Sequence, residues 1–174
     1  MASYPTVINN FRVYDGENTN EIVGTTGEIT LPTLEQKTST VSGAGILGEI
    51  EEGVVGHFGS IKMDIPFRVI STDVFKLMRT DKPTGITIRG AVQGIDTSNS
   101  QATFSQMKVT VKGKVKSVNP GKVKAGEQMD CSITLELTYI KIEYDNKVGL
   151  ELDKLNSVYK VDGVDMLADV SALI

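Results

Sequence analysis

The sequence contains no tryptophan, and aromatic residues make up only 6% of its 174 residues. Surfaces that bind carbohydrate or stack on single-stranded nucleic acid depend on exposed aromatic rings. The shortage of aromatic residues therefore argues against both kinds of binding surface.

The chain has one histidine, His57, and one cysteine, Cys131. A Ser-His-Asp or Cys-His site would have to use His57, which lies among glycines with no catalytic motif around it. Cys131 alternates with apolar residues and is expected to be a small core residue. One histidine and one cysteine are too few for a zinc site. We therefore expect no catalytic residue, no metal site and no cofactor, and the protein is not predicted to be an enzyme.

The charge balance is mildly acidic, with a net charge of −4 and an isoelectric point of about 5.1. Nucleic-acid-binding surfaces and surfaces that bind anionic membranes usually carry a basic excess, so neither partner is favoured. The N-terminus lacks the basic and apolar regions of a signal peptide, and no apolar run approaches the roughly 18 residues of a membrane span. The sequence thus predicts a chain made in the cytoplasm, in a reducing compartment, without membrane anchoring.

Alternation of apolar and polar residues with a period of two, typical of half-buried strands, dominates the chain. Within 129–144 the alternation changes phase after Tyr139, which predicts a bulge or a strand that passes from one sheet to another. With about seven to eight strands and no repeat, the chain is predicted to be a mainly β single domain (1–174), a barrel or a sandwich. The clearest predicted strands are 7–13, 21–31, 60–70, 85–96, 102–118 and 129–144.

Two segments interrupt this pattern. A short helix is predicted at about 72–80, where apolar residues recur at helical spacing between a Ser/Thr cap and Pro83. Residues 32–59 show no clear period and are predicted to form a long Gly-rich loop, longer than an ordinary connection and therefore functional. Six glycines within 43–59 allow tight turns, whereas the apolar residues between them require burial.

Three motifs have weak functional interpretations. GAGILG matches the GxGxxG spacing of dinucleotide sites, but no strand–turn–helix pattern surrounds it. The acidic run GEIEEG lacks the Asp/Asn spacing of a calcium loop, so a solvated or subunit-facing acidic patch is expected. The lysines at 108, 112, 114 and 116 are expected to form a solvated strand face that discourages edge aggregation, with contact to an acidic partner or nucleic acid as the alternative.

Three blocks, in this order, resemble the major tail tube proteins of contractile phage tails and phage-tail-like bacteriocins. The first is the opening strand VINNFRVYDG. The second is EITLPTLEQKTSTVSGAGILGEIEEGVVGHFGSIKMDI, with its LPTLE and SGAG elements. The third is LELTYIKIEYDNKVGLELDKLNSVYKVDGVDML. The short apolar tail ADVSALI departs from the basic ending of some members of that family.

The resemblance implies a structural subunit of the inner tube of a contractile tail, with six copies in a ring and rings stacked into a tube that guides DNA or punctures an envelope. It implies a sheath protein outside, a tape-measure protein and possibly DNA in the lumen, and assembly in the bacterial host cytoplasm into a virion or tail-like particle. An acidic chain is consistent with a lumen that repels DNA. A secretion-system tube subunit and a monomeric β-sandwich binding module are the alternatives.

The resemblance also implies that the segment 32–59 contacts neighbouring subunits, while the lysine-bearing strand could meet the lumen, the sheath or a neighbouring ring. The inter-subunit contact candidates are Gly43, Gly45, Ile46, Leu47, Gly48, Val54, Val55 and Phe58, and the charged-face candidates are Lys108, Lys112, Lys114 and Lys116.

Overall fold

The computed structural model describes residues 3–16 and 20–174. As predicted, the fold is mainly β, with only two short helices in the described residues, α1 (Thr72–Leu77) and α2 (Ala168–Ser171). The strands are β1 (Ser3–Asp15), β2 (Asn20–Glu21), β3 (Gln36–Ser42), β4 (Glu49–Phe58), β5 (Lys62–Phe67), β6 (Thr84–Asp96), β7 (Ala102–Asn119), β8 (Cys131–Tyr144), β9 (Lys147–Asp153), β10 (Val158–Val161) and β11 (Val164–Asp165).

Nine of these strands form one antiparallel sheet in the order β11-β10-β9-β8-β7-β6-β1-β2, and β5 pairs with β8 off this path. One face of the sheet carries the core, because alternate apolar residues of its long strands point to the same side. Ile86, Ile88, Val109 and Val111 are buried on this face, where they belong to one apolar cluster.

Strand β8 changes its partner along one of its two edges. Its residues 139–144 pair with β9, and its residues 131–136 pair with β5 along the same edge, while β7 follows the other edge. The register between β7 and β8 skips Thr138. Leu137 and Ile140 are consequently both buried, although they lie an odd number of residues apart. The predicted change of phase in this strand is confirmed, and its cause is the bulge at Thr138.

The predicted strand 60–70 is confirmed in its centre. Ile61, Met63, Ile65 and Phe67 are all buried, as the alternation predicts, but Val69 is half exposed because β5 ends at Phe67. The helix α1 is shorter than the predicted 72–80. It buries Val74 and Leu77 and closes the core beside β5.

The prediction of a strand over 21–31 is wrong. Only Asn20 and Glu21 pair with β1, and part of the predicted turn at 15–20 lies outside the described residues. Beyond Glu21 the chain is irregular. Gly24 adopts a φ of +98° and its carbonyl accepts a hydrogen bond of 2.9 Å from the amide of Arg68, so the segment follows the end of β5 instead of extending β1.

Candidate assembly interface

Residues 36–58 contain more regular structure than the predicted loop. Within the residues that the structure describes, strands β3 and β4 pair only with each other, and they form a separate antiparallel hairpin, which we call the arm. No residue of β3 or β4 is buried, and every residue of β3 is exposed. A strand gives a period-two signal when one face is covered and the other is not. Both faces of the arm are uncovered in a single subunit, so its sequence shows no such signal.

One face of the arm is acidic. Glu49 and Glu51 lie two residues apart on β4, opposite Ser42 and Thr40 of β3. Cross-strand neighbours share a face, so the two carboxylates stand beside hydroxyl groups and not beside a base. Within the described residues, neither carboxylate has a hydrogen bond or an ion pair.

The other face is apolar at its end near the tip, with Glu52 further along it, and the tip is also apolar. Val41 pairs with Ile50 on the face opposite Glu49, and both side chains are exposed. At the tip, Ile46 is partly exposed and Leu47 is fully exposed. Exposed apolar side chains that lie together mark interaction surfaces. The tip and this face therefore provide an apolar surface that a single subunit leaves uncovered.

The glycine cluster builds the turn at the tip. Gly43, Gly45 and Gly48 adopt φ values of +149°, +94° and +113°, which other residues rarely adopt. The amide of Ile46 donates to the Gly43 carbonyl at 3.1 Å and closes the turn. The GxGxxG spacing thus belongs to a strand–turn–strand hairpin and lacks the helix that a dinucleotide site requires.

The base of the arm is anchored to the C-terminal part of the chain. The ring of Phe58 meets the ring of Tyr159 edge-on, with centroids 5.0 Å apart. Lys154 Nζ donates to the Gly59 carbonyl at 2.6 Å. Leu167 packs so closely over Gly56 that a Cβ there would come within 2.5 Å of its Cδ2. These contacts set the direction in which the arm leaves the body.

The turn that follows β9 supports these anchors. Asp153 accepts hydrogen bonds from the amides of Leu155 and Asn156 and from the side chain of Asn156, at distances between 2.7 and 3.1 Å. Burial raises the pKa of Asp153, but these hydrogen bonds outweigh it and hold the pKa below the usual value of an aspartate. Asp153 therefore remains ionised and keeps the turn next to Lys154 in place at neutral pH.

We expect Tyr159→Ala to loosen the arm without unfolding the body. The substitution removes the edge-on ring contact, worth roughly 0.5–1.5 kcal/mol beyond area burial, at the point where the arm joins the body. Backbone amides of 36–58 should exchange hydrogen several-fold faster, while amides of β7 and β8 keep their protection. Phe75→Ala, which shortens an exposed ring on α1, is the matched control. Equal exchange in the arm of both variants would contradict the anchoring role.

The predicted contact candidates are not equivalent in the structure. Ile46 and Leu47 lie at the tip, and Val54 and Val55 are exposed further along β4. Phe58 packs against Tyr159 of its own chain and anchors the arm, and its contact with a neighbouring subunit stays a prediction.

The four lysines of β7 also divide into two pairs. Lys108 lies 3.4 Å from Glu143, whose other oxygen lies 3.3 Å from Lys141, and Lys112 stands over the ring of Tyr139 at 5.3 Å. Lys114 and Lys116 are exposed and, within the described residues, have no ion pair or hydrogen bond. The second pair is thus available for a partner, whereas the first belongs to the charge network of the sheet face.

The structure adds an apolar surface that the sequence analysis missed. At the end of β1, β6 and β7 that contains Tyr4, four exposed apolar side chains share one face of the sheet, namely Tyr4, Val7, Ile95 and Phe104, and Ile8 is exposed on the opposite face. Tyr4 and Ile95 are cross-strand neighbours. The alternation in the sequence places Val7 on one face with Phe11 and Val13. The register of β1 with β6 shifts between Ile8 and Asn10, so Val7 lies on the opposite face, and the sequence does not predict its exposure there.

The remaining candidate residues have no visible chemistry. His57 is exposed on β4, and Cys131 is buried with its thiol directed at the Phe67 carbonyl at 3.5 Å. Burial raises the pKa of Cys131, which keeps the thiol protonated and unreactive. In the described part of the chain, no three potential metal ligands cluster together. None of its helices is long and apolar enough to cross a membrane.

Comparison with known proteins identifies the family. Residues 5–174 match the family model of phage tail tube protein FII. The chain is 29% identical to the major tail tube protein of Serratia phage KSP20 over 90% of both chains, and 28% identical to the tail tube protein of Escherichia phage P2 over 83% of both.

A solved structure supports the fold. The sheath/tube terminator of PVC, an extracellular contractile injection system, superposes with a TM-score of 0.55 over 80% of this chain and 97% of the terminator, at 15% sequence identity. Since the identity is low, this likeness concerns the fold alone. The family match over nearly the whole chain is what assigns the protein: it belongs to the phage tail tube protein FII family, a family of structural proteins of phage tails and not of enzymes.

Proposed function

We propose that the protein is the repeating subunit of the inner tube of a contractile tail, in which six copies form a ring and rings stack into a channel. The observation that carries this proposal is the arm, a hairpin that leaves the body with both outer strand edges unpaired and an apolar tip uncovered. Unpaired strand edges and apolar patches are liabilities for a monomer, and they become contacts in an assembly.

The shape of the subunit favours a repeating contact between different surfaces. The arm is anchored at one side of the body, whereas the uncovered end of β1, β6 and β7 lies elsewhere on the sheet. A contact between two different surfaces generates a ring when the rotation closes and a filament when it does not. A ring and a stack of rings can therefore be built with two such contacts, one lateral and one axial.

The partners follow from this role. A sheath protein would surround the tube, a tape-measure protein would occupy the lumen during assembly, and DNA would pass through without sequence-specific binding. The acidic net charge of −4 is consistent with a channel wall that does not hold DNA. Assembly would take place in the bacterial host cytoplasm, and the product would be a virion or a tail-like particle.

Negative-stain electron microscopy of the purified protein tests the proposal. Rings with a central hole, or tubes, are expected at high protein concentration. A monodisperse monomer under the same conditions, confirmed by sedimentation velocity, would instead favour a single-subunit binding module. If the protein forms tubes but its native particle contains no DNA, the secretion-system alternative would be favoured.

A further inference from the structure

Strand β7 extends past its neighbour in the sheet. The last pair between β6 and β7 is Thr84 with Gly113. Of the six residues Lys114–Asn119 that follow, five pair with β8, and Lys116 is the extra residue of a bulge. Among the described residues, no strand lies along the other edge of this stretch. An unpaired edge presents a row of backbone donors and acceptors that another strand can use. We call this stretch the free edge.

The free edge carries two lysines that form no ion pair within the described residues. Lys114 has Glu136 of β8 as its cross-strand neighbour, but that carboxylate accepts a hydrogen bond from Ser60 at 2.7 Å instead. Lys114 and Lys116 are exposed, and no carboxylate of the described residues forms an ion pair with either. Lysines on an edge strand discourage pairing with a neutral or basic strand, because pairing would crowd or desolvate their charge. An acidic strand is the exception, since opposite charges facing each other across strands stabilise the pair.

The arm contains such an acidic strand with an unpaired edge. Strand β4 pairs with β3 on one side only. Glu49, Glu51 and Glu52 lie at its start, and no basic group of the described residues forms an ion pair with any of them. The two carboxylates on the acidic face, Glu49 and Glu51, have the same two-residue separation in the sequence as Lys114 and Lys116, the second of which lies at the bulge.

We propose that β4 of one copy pairs along the free edge of β7 in a neighbouring copy, with Glu49 and Glu51 facing Lys114 and Lys116. This inference rests on the proposed function, since it names the place where the arm docks in a self-assembling subunit. The complementary charges select the occupant, and the backbone edge supplies the hydrogen bonds. The contact joins two different surfaces, so it can repeat from copy to copy.

The observations favour a second copy over nucleic acid as the occupant. Only two lysines are available on the free edge, and the chain as a whole is acidic, whereas nucleic-acid surfaces combine many basic groups. The arm of a second copy supplies both the carboxylates and the unpaired strand in one element.

Charge reversal with rescue tests the proposal. The variants Glu49→Lys/Glu51→Lys and Lys114→Glu/Lys116→Glu each place like charges opposite one another. Each should raise the protein concentration needed for assembly by about tenfold or more. The variant with all four substitutions restores opposite charges and should assemble near the wild-type concentration. Equimolar mixing of the two double variants should also restore assembly, because each offers the surface that the other needs.

Lys122→Glu/Lys124→Glu is the matched control, since these two exposed lysines have the same spacing on the loop after the free edge and contact only surface carboxylates. It should assemble like the wild type. Assembly is read by sedimentation velocity and electron microscopy, and folding by circular dichroism. This inference would be overturned if either double variant assembled at the wild-type concentration. It would also be overturned if both double variants were folded but neither the fourfold variant nor mixing restored assembly. Either result would leave the proposed function standing. A wild-type protein that never assembles would overturn the proposed function itself.

Discussion

Replacing Leu47 by aspartate is expected to abolish ring and tube formation while leaving the subunit folded. Leu47 is fully exposed at the tip of the arm, so in a single subunit its side chain contributes little to stability. Surface substitutions of this kind usually change the free energy of unfolding by no more than about 0.5 kcal/mol. The thermal midpoint of the variant should therefore match that of the wild type.

The effect on assembly should be much larger, for two reasons. Burying a leucine contributes roughly 1.5–3 kcal/mol, and a carboxylate at the same position adds a cost of desolvation. A loss of about 2 kcal/mol weakens one contact roughly thirtyfold. The same contact recurs in every subunit, so the assembled fraction should fall below detection in sedimentation velocity and electron microscopy.

Val23→Asp is the control for this experiment. Val23 is an exposed apolar residue outside the arm, in the irregular segment after β2. If Leu47→Asp forms tubes as readily as Val23→Asp, the tip of the arm does not contact a neighbour. If Leu47→Asp unfolds the subunit, the tip packs within its own chain.

Replacing Gly113 by alanine is expected to give a large loss of stability. Gly113 lies on the inner face of β7 beside the bulge at Thr138, where β8 passes from β9 to β5. A Cβ at this position would lie 2.2 Å from the carbonyl oxygen of Glu136, which belongs to the backbone and cannot turn away. We expect the variant to lose roughly 2–3 kcal/mol of unfolding free energy, because the two strands must separate locally.

Thermal unfolding measures this effect directly. For a chain of this size the expected loss corresponds to a fall of roughly 4–12 °C in the midpoint. Gly149→Ala on β9 is the matched control, since the nearest atom to its added Cβ is the Ile142 carbonyl oxygen at an ordinary 3.7 Å. Equal midpoints for the two variants would mean that the bulge adapts freely and does not constrain the passage of β8.

The sequence predicts those parts of the fold whose burial lies within one subunit. Met63, Ile65 and Phe67 alternate with Lys62, Asp64 and Pro66, and all three are buried because β5 has the core on one side only. The change of phase in β8 is equally visible, since a bulge moves the buried side from Leu137 to Ile140. In both cases the pattern of hydrophobicity and the pattern of burial coincide.

The strands of the arm are not predicted in this way, because their side chains are not buried within one subunit. Val41 and Ile50 are apolar and exposed, so the order of apolar and polar residues along β3 and β4 does not match a pattern of burial within one subunit. The composition of the segment still indicates an interface, since its apolar residues require a partner. The sequence predicts the turns at the glycines of the tip, but it does not predict the two strands that they join.

The division of the four lysines of β7 into two pairs depends on how β7 is paired with its neighbours. The sequence of β7 alone does not give that register. Lys108 is held by Glu143 and Lys112 lies over Tyr139 because each pair is directly opposite in the register of β7 with β8. Lys114 lies opposite Glu136, which is hydrogen-bonded to Ser60, and Lys116 is the extra residue of a bulge with no residue of β8 opposite it. From the sequence, all four lysines belong to one face, and only the pairing of the strands separates them.

The most direct test of the central claim is a cryo-electron microscopy reconstruction of the assembled protein at a resolution that traces the backbone. The account predicts stacked rings around a channel, with residues 36–58 of each copy lying against a neighbouring copy. A reconstruction in which each arm folds back on its own subunit, or projects into solvent without touching another copy, would contradict it.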